Sequence, residues 1–280
     1  MNTVFYKSAT QMNEIDNGSV DLIITSPPYF NIKDYSLDGR QEFSHSNREQ
    51  NDIGNINSFE SYIANLLTVW KECEKKLKPN GKLCINVPLM PILKKNLNTH
   101  YNRHIYDIQS EIQKSILNET DLFLLDIYIW NRTNPTKKLM FGSYPYPRNF
   151  YAQNTIEFIT IYVKDGKPER PNKEIKESSK LTKDEWVAYT KQIWNIPIPN
   201  KGDIAFGEHS AIMPEEIVQR LIKLFSFKGD VILDPFTGSG TTLKIAKKLQ
   251  RNYVGYELYE SYAKIIEDKL RSVETENEVE

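Results

Sequence analysis

Between residues 229 and 257 the chain reads GDVILDPFTGSGTTLKIAKKLQRNYVGYE, and this stretch narrows the choice of fold more than any other. Val231, Ile232 and Leu233 make an apolar run of strand length, with Asp234 at its carboxyl end. Pro235 and Phe236 lead into Gly238, Ser239 and Gly240, whose glycines allow a tight turn and a close approach of backbone to a ligand. A helix is predicted to begin near Thr241 and Thr242, with its free N–H groups facing the same space. A second strand, Asn252–Glu257, ends on a carboxylate 23 residues after Asp234. An acid in that place accepts hydrogen bonds from both hydroxyls of a ribose. The phosphate-binding variants of this unit fit less well. No lysine follows the glycines in P-loop spacing, and Leu243 stands where a dinucleotide fold has its third glycine. Few basic residues face the turn, so a nucleoside with a zwitterionic tail matches best.

Elsewhere strand-like and helix-like segments alternate, which predicts an α/β architecture with a largely parallel sheet. The expected strands are Val4–Tyr6, Val20–Thr25, Lys82–Val87, Leu122–Trp130, Thr155–Val163, Val231–Asp234 and Asn252–Glu257. Helices are expected over Ser58–Leu77, with Ser58 as N-cap and KPNG as the stop, over Pro214–Phe225 and over Leu243–Gln250. Residues 31–57 are polar and too long for an ordinary connection, so they read as a mobile functional loop. Residues 164–205 hold nine Lys/Arg and seven Asp/Glu and read as a small insert, with a helical piece around Lys183–Ile193. Residues 273–280 are acidic and read as a frayed tail. The two halves of one domain, the second carrying the nucleoside loop, would then be 1–163 and 206–272.

The cysteines, Cys73 and Cys84, are too few for a disulfide framework or a four-cysteine zinc site. The four histidines are scattered, so no metal is expected. No apolar run approaches a membrane span, and a cytoplasmic protein is expected. A formal net charge of −1 means that any nucleic-acid surface must be local. One stretch qualifies. From Ile127 to Ile156 there is no acidic residue, while Arg132, Lys137, Lys138 and Arg148 are interleaved with aromatic rings such as Tyr144 and Tyr146. Tyr128 and Trp130, inside a strand, read as core. Lys33 and Arg40 in the 31–57 loop are further candidates for contact with a nucleic-acid strand.

A second motif sits near the N-terminus. The strand Val20–Thr25 stops at Ser26, Pro27, Pro28 and Tyr29. The prolines have no N–H, fix their own φ and hold Ser26 extended, so carbonyl oxygens project from a rigid strand end.

TSPPY, then DPFTGSGTT and YVGYE some two hundred residues later, resembles the S-adenosylmethionine-dependent DNA amino-methyltransferases, in the motif order of their β group. The similarity extends over most of the chain. It implies a permuted Rossmann-like methyltransferase sheet, mostly parallel with an antiparallel edge strand, and a target-recognition role for the 164–205 insert. S-adenosyl-L-methionine is the implied cofactor, held by Asp234, Pro235, Phe236, Gly238, Ser239, Gly240, Thr241 and Thr242, by Glu257 and by Thr25. His209, in a His-Ser-Ala that matches the family's His-Pro-Ala, is implied as a further contact. The family's N-terminal Gly-Asp, which holds the adenine, corresponds here to Lys7 and Ser8, leaving Ser8 for that bond.

The resemblance implies how Ser26 to Tyr29 act. An exocyclic amine is a poor nucleophile because its lone pair is delocalised. Two acceptors, the Ser26 hydroxyl and the Pro27 carbonyl, would grip its hydrogens and turn the lone pair toward the sulfonium methyl. Tyr29 would stack on a base extruded from double-stranded DNA. Serine at the head of the tetrapeptide is associated in this family mostly with cytosine N4, so that amine is expected, with adenine N6 as the alternative. Methylation of an RNA or protein amine, and a catalytically inactive binding protein, stay open. A cognate restriction endonuclease and a monomer or homodimer complete what is implied.

Overall fold

The computed structural model describes residues 1–30, 52–56, 58–93, 103–134, 144–148, 152–207 and 212–277. The chain opens with β1 (Thr3–Tyr6) and β2 (Val20–Thr25), then α1 (Phe59–Lys76), β3 (Leu77–Pro88), β4 (Met90–Leu93), β5 (Arg103–Tyr106) and α2 (Ile108–Glu119). There follow β6 (Leu122–Arg132), β7 (Ile156–Lys164), the short α3 (Lys173–Ser178) and α4 (Lys183–Tyr189), and β8 (Ile193–Ile196). The chain closes with α5 (Glu215–Phe225), β9 (Val231–Asp234), α6 (Thr241–Lys248), β10 (Asn252–Glu257) and α7 (Ala263–Asn277).

The main sheet has the order β1-β10-β9-β2-β3-β7-β6-β8, and only β7 runs against its neighbours. The architecture is therefore mixed α/β and mostly parallel, as expected. The reversed strand, however, is interior rather than at the edge, because β6 and then β8 extend the sheet beyond it. Alternate residues of the central strands enter two cores, as the pleat requires. Ile23 and Leu233 face α1 and α2, which contribute Leu66, Trp70, Ile112 and Ile116. Leu22, Ile24 and Ile232 face α5, α6 and α7, which contribute Leu221, Ile245 and Ile266. Both faces are covered, which accounts for the continuous apolar runs of β2 and β9.

Several boundaries differ from the sequence expectation for local reasons. Helix α1 has Ser58 as N-cap, accepting from Ser61 N, but it ends at Lys76 without using Gly81. Leu77 already pairs with Val20, and Lys78–Gly81 bulge out before Lys82 pairs with Leu22, with Asn80 at φ +64°. The helical piece of the insert stops at Tyr189, and Ile193 instead begins β8, whose Trp194 and Ile196 enter the second core. The acidic tail expected from residue 273 continues α7 as far as Asn277.

At Gly255, in β10, an added Cβ would lie 2.5 Å from Thr237 Oγ1 and 2.8 Å from Leu243 Cδ1. The strand lies that close to the start of α6. We expect Gly255→Ala to lose about 1–3 kcal/mol in urea unfolding. An unchanged midpoint would show that α6 is free to back away from the sheet.

Candidate active site at the carboxyl edge of the sheet

Strands β9 and β2 are neighbours, yet the chain leaves them in opposite directions, through α6 to β10 and through α1 to β3. Such a switch point opens a crevice at the carboxyl ends of the strands. The register puts Tyr6 beside Glu257, Gly255 beside Asp234 and Ile23 beside Leu233. Lys7 and Ser8, Glu257, the 234–240 loop and Ser26–Tyr29 therefore lie along one edge.

The loop is built as its composition requires. Gly238 has φ +53°, and Gly240 has φ +85° as the N-cap of α6. Gly238 N donates to Glu257 Oε2 at 2.8 Å and Tyr259 N to Glu257 Oε1 at 2.9 Å. Burial pushes the Glu257 carboxyl up to about 7 despite these two N–H donors. Asp234 Oδ1 accepts from Thr25 Oγ1 at 2.7 Å and from Phe236 N at 3.0 Å, and burial pushes it up to about 6. Thr25 is fully buried with its proton given to Asp234, so its place is to hold that carboxylate across the switch point rather than to touch a ligand. Thr242 also bonds Asp234. Pro235 is buried and Phe236 half-buried, its ring set edgewise to Trp70. Ser239 and Thr241 receive Lys269 Nζ, at 3.2 and 2.8 Å. At the end of β1, Lys7 pairs with Glu14, and Ser8 Oγ lies 3.1 Å from Thr10 Oγ1. His209 is outside the described residues.

The donor set suits a nucleoside more than a phosphate. Lys244 is paired with Glu215 at 2.8 Å and Lys269 with Asp203 at 3.1 Å. Both cations beside the loop are thus neutralised, while Glu257 offers acceptors to hydroxyl groups.

At the end of β2, Ser26 Oγ donates to Asn86 O at 3.0 Å. A hydroxyl with its proton so placed presents its lone pairs as acceptors. The Tyr29 hydroxyl, 3.4 Å away, is then the donor toward Ser26. Tyr62, on α1, donates to Pro28 O at 2.9 Å, which fixes the second proline. Among the described residues nothing donates to the carbonyl of the buried Pro27. Two acceptors at a rigid strand end are what this arrangement provides.

Behind Ser26 lies a network that sequence reasoning missed. Asn86 Nδ2 donates to Glu157 Oε2 at 2.7 Å, and Arg132 approaches Glu157 Oε1 at 3.5 Å. Glu157 is raised above the usual carboxylate range by burial, with Arg132 and Asn86 opposing. The available signals were a lone Asn in LCINVP and a lone Glu in TIEFITIYV. Arg132 also donates to the carbonyls of Asn154 and Thr155. Its expected place on a nucleic-acid surface is corrected accordingly: the guanidinium is turned inward, to the site's own scaffold. Arg148 is exposed, as are Tyr144 and Tyr146, at 75% and 76%. β6 ends and β7 begins at the carboxyl edge, the edge that carries Ser26 and the glycine loop. Tyr128 and Trp130 are buried, as expected for core. Lys33, Arg40, Lys137 and Lys138 lie outside the described residues, as does most of the expected 31–57 loop.

No helix among the described residues is long and apolar enough to cross a membrane, and no group of His, Cys, Asp and Glu among them would hold a metal.

Residues 20–268 match the model of the N6/N4 DNA methylase family. The chain is 30% identical to the Type II methyltransferase M.MjaI of Methanocaldococcus jannaschii, over 95% of this chain and 90% of that one. It is 28% identical to the Type II methyltransferase M.MthZI of Methanothermobacter thermautotrophicus, over 99% and 78%. Among solved structures it resembles a protein of Thermus thermophilus, described as a DNA modification methylase and complexed with S-adenosyl-L-methionine. That pair has a TM-score of 0.74 at 26% identity, over 98% of this chain and 94% of the other. The fold is also that of the cytosine-N4-specific PvuII DNA methyltransferase, with a TM-score of 0.66 at 18% identity over 95% and 85%.

Proposed function

The chain belongs to the N6/N4 DNA methylase family, and from that premise we propose that it methylates cytosine N4 in double-stranded DNA, with S-adenosyl-L-methionine as methyl donor. The observation that carries the reading is the end of β2. Ser26 Oγ has its proton on Asn86 O, and the Pro27 carbonyl has no donor among the described residues, beside a nucleoside-type loop.

In this reading Glu257 accepts the ribose hydroxyls, and the 238–240 turn lets the backbone approach the nucleoside. Ser8, adjoining Glu257 through the β1–β10 pairing, bonds the adenine. Bound there, S-adenosyl-L-methionine supplies an electrophilic methyl carbon on a sulfonium. Ser26 Oγ and Pro27 O each accept one hydrogen of the target amine, which draws the nitrogen toward sp³ geometry and aims its lone pair. Tyr29 gives a face to the extruded base. Pro28, held by Tyr62, keeps the Pro27 carbonyl from turning away. Asn86, Glu157 and Arg132 fix Ser26 from behind. Exposed Arg148, with Lys137, Lys138 and Lys33, supplies phosphate contacts, and the exposed rings of Tyr144 and Tyr146 lie within four residues of Arg148 in sequence. The 164–205 insert is assigned to target recognition, and a cognate restriction endonuclease to the same system.

The choice of cytosine N4 rests on the serine that heads the tetrapeptide. Incubation with unmethylated DNA and S-adenosyl-L-methionine, followed by digestion to nucleosides and mass spectrometry, tests it. N4-methylcytosine is expected. N6-methyladenine would keep the acceptor mechanism and overturn the base assignment. Methylation of RNA alone would overturn the substrate class.

A further inference from the structure

Lys269, on α7, is 1% exposed, and the proposed chemistry makes no use of it. Its ammonium reaches Thr241 Oγ1 at 2.8 Å, Ser239 Oγ at 3.2 Å and the two carboxylate oxygens of Asp203 at 3.1 and 3.5 Å. Three parts of the chain that are distant in sequence meet on one cation. They are the turn after β8, the glycine loop and the final helix. Asp203 is itself held, because its Oδ1 also accepts from Ala205 N at 2.8 Å.

Packing alone does not explain this group. Burying an ammonium is unfavourable unless oxygens replace its water, and an apolar side chain of the same length would fill the space more cheaply. Desolvation lowers the Lys269 pKa, and Asp203, with Glu215 beyond it, offsets this against the neighbouring Lys244. What the cation supplies and an apolar chain would not is direction. It bonds the hydroxyls on both sides of Gly240, whose φ of +85° sets the start of α6. Gly240 has Ile266 of the same helix α7 against its other side, 3.3 Å from where a Cβ would be. The turn is therefore gripped by α7 through both a polar and an apolar contact.

We infer that Lys269 is a positioning residue: with Asp203 it locks the Ser239–Thr241 turn in its cofactor-receiving shape and ties that turn to the end of the inserted 164–205 segment. The inference rests on the proposed reading for the identity of the ligand, but not for the order of the turn. Two readouts on Lys269→Met separate these. In hydrogen exchange without cofactor, amides of residues 238–242 are expected to exchange about tenfold faster, with β2 and β9 unchanged. By calorimetry the Kd for S-adenosyl-L-methionine is expected to rise about tenfold, with kcat at saturating cofactor within about threefold of the parent. Lys269→Arg is expected to recover most of both losses, and Asp203→Asn to show an intermediate loss.

Exchange and affinity within about twofold of the parent would overturn the inference. So would exchange that rises equally over β2 and β9, which would make Lys269 a general core residue. Should Lys269→Met not fold, Asp203→Asn is judged by the same criteria. A parent protein that fails to bind S-adenosyl-L-methionine would sink the proposed function, while the exchange comparison would still decide the role of Lys269.

Discussion

Ser26→Ala is expected to slow methyl transfer by about 10²–10³-fold while the Kd for S-adenosyl-L-methionine stays within about threefold of the parent. The magnitude is that of removing one pre-aimed polar partner of the reacting group. Affinity is expected to survive because Ser26 follows β2, whereas the loop that receives the cofactor follows β9 and the acid ends β10. The variant also leaves Asn86 O without its 3.0 Å donor, in a half-buried place, which costs about 1 kcal/mol of stability. Thermal unfolding run beside the kinetics separates that loss from the catalytic one. A rate within tenfold of the parent, in a folded variant, would mean that the Ser26 hydroxyl is not an acceptor for the amine.

Glu257→Ala is expected to weaken S-adenosyl-L-methionine binding by about 100-fold, the scale of one to two hydrogen bonds to a charged group. The acid sits where two backbone N–H groups already orient both of its oxygens. Its pH signature is specific. Ligand hydroxyls favour the ionised form, and burial holds the free protein's carboxyl at about 7. Affinity should therefore improve as pH rises through 7, by at most about tenfold per pH unit, and then level off. Burial also raises Asp234, to about 6. In the ligand-free protein the same shifts favour the folded state in acid. Their contribution is fully present below the ordinary carboxylate range and is lost as pH rises through the raised values. Calorimetric titrations across this range, on the parent and on Glu257→Ala, check the sign. A parent whose affinity does not change with pH would remove Glu257 from the ribose contact.

Local order was legible where a residue's neighbours in sequence are also its neighbours in space. The β9–α6–β10 unit, the Ser58 cap of α1 and the stop at Ser26-Pro27-Pro28 are all short-range, and each rests on glycine, proline or capping chemistry that acts within a few residues. Helix α2 carries an equally local signal. Ile108, Ile112 and Ile116 lie on one face, and Asp107 caps it by accepting from Ser110 N. Helix α7 was masked by the acidic end of the chain, although Ile265, Ile266 and Val273 are buried.

The charged residues had to wait for the fold. Arg132 read as a phosphate ligand from its position in an acid-free stretch. β7 pairs with β6, however, and brings Glu157 and the carbonyls of Asn154 and Thr155 to its guanidinium. Ser239 and Thr241 read as ligand contacts, and only the packing of α7 brings Lys269 to their hydroxyls. Backbone sterics and side-chain chemistry act locally, so the strand ends, the turn geometry and the residue types that face the crevice follow from short stretches of chain. Which polar groups meet the crevice, and which meet one another, depends on how the elements pack. The partner of a buried charge comes from whichever distant strand or helix is packed against it, and one sheet register selects that element.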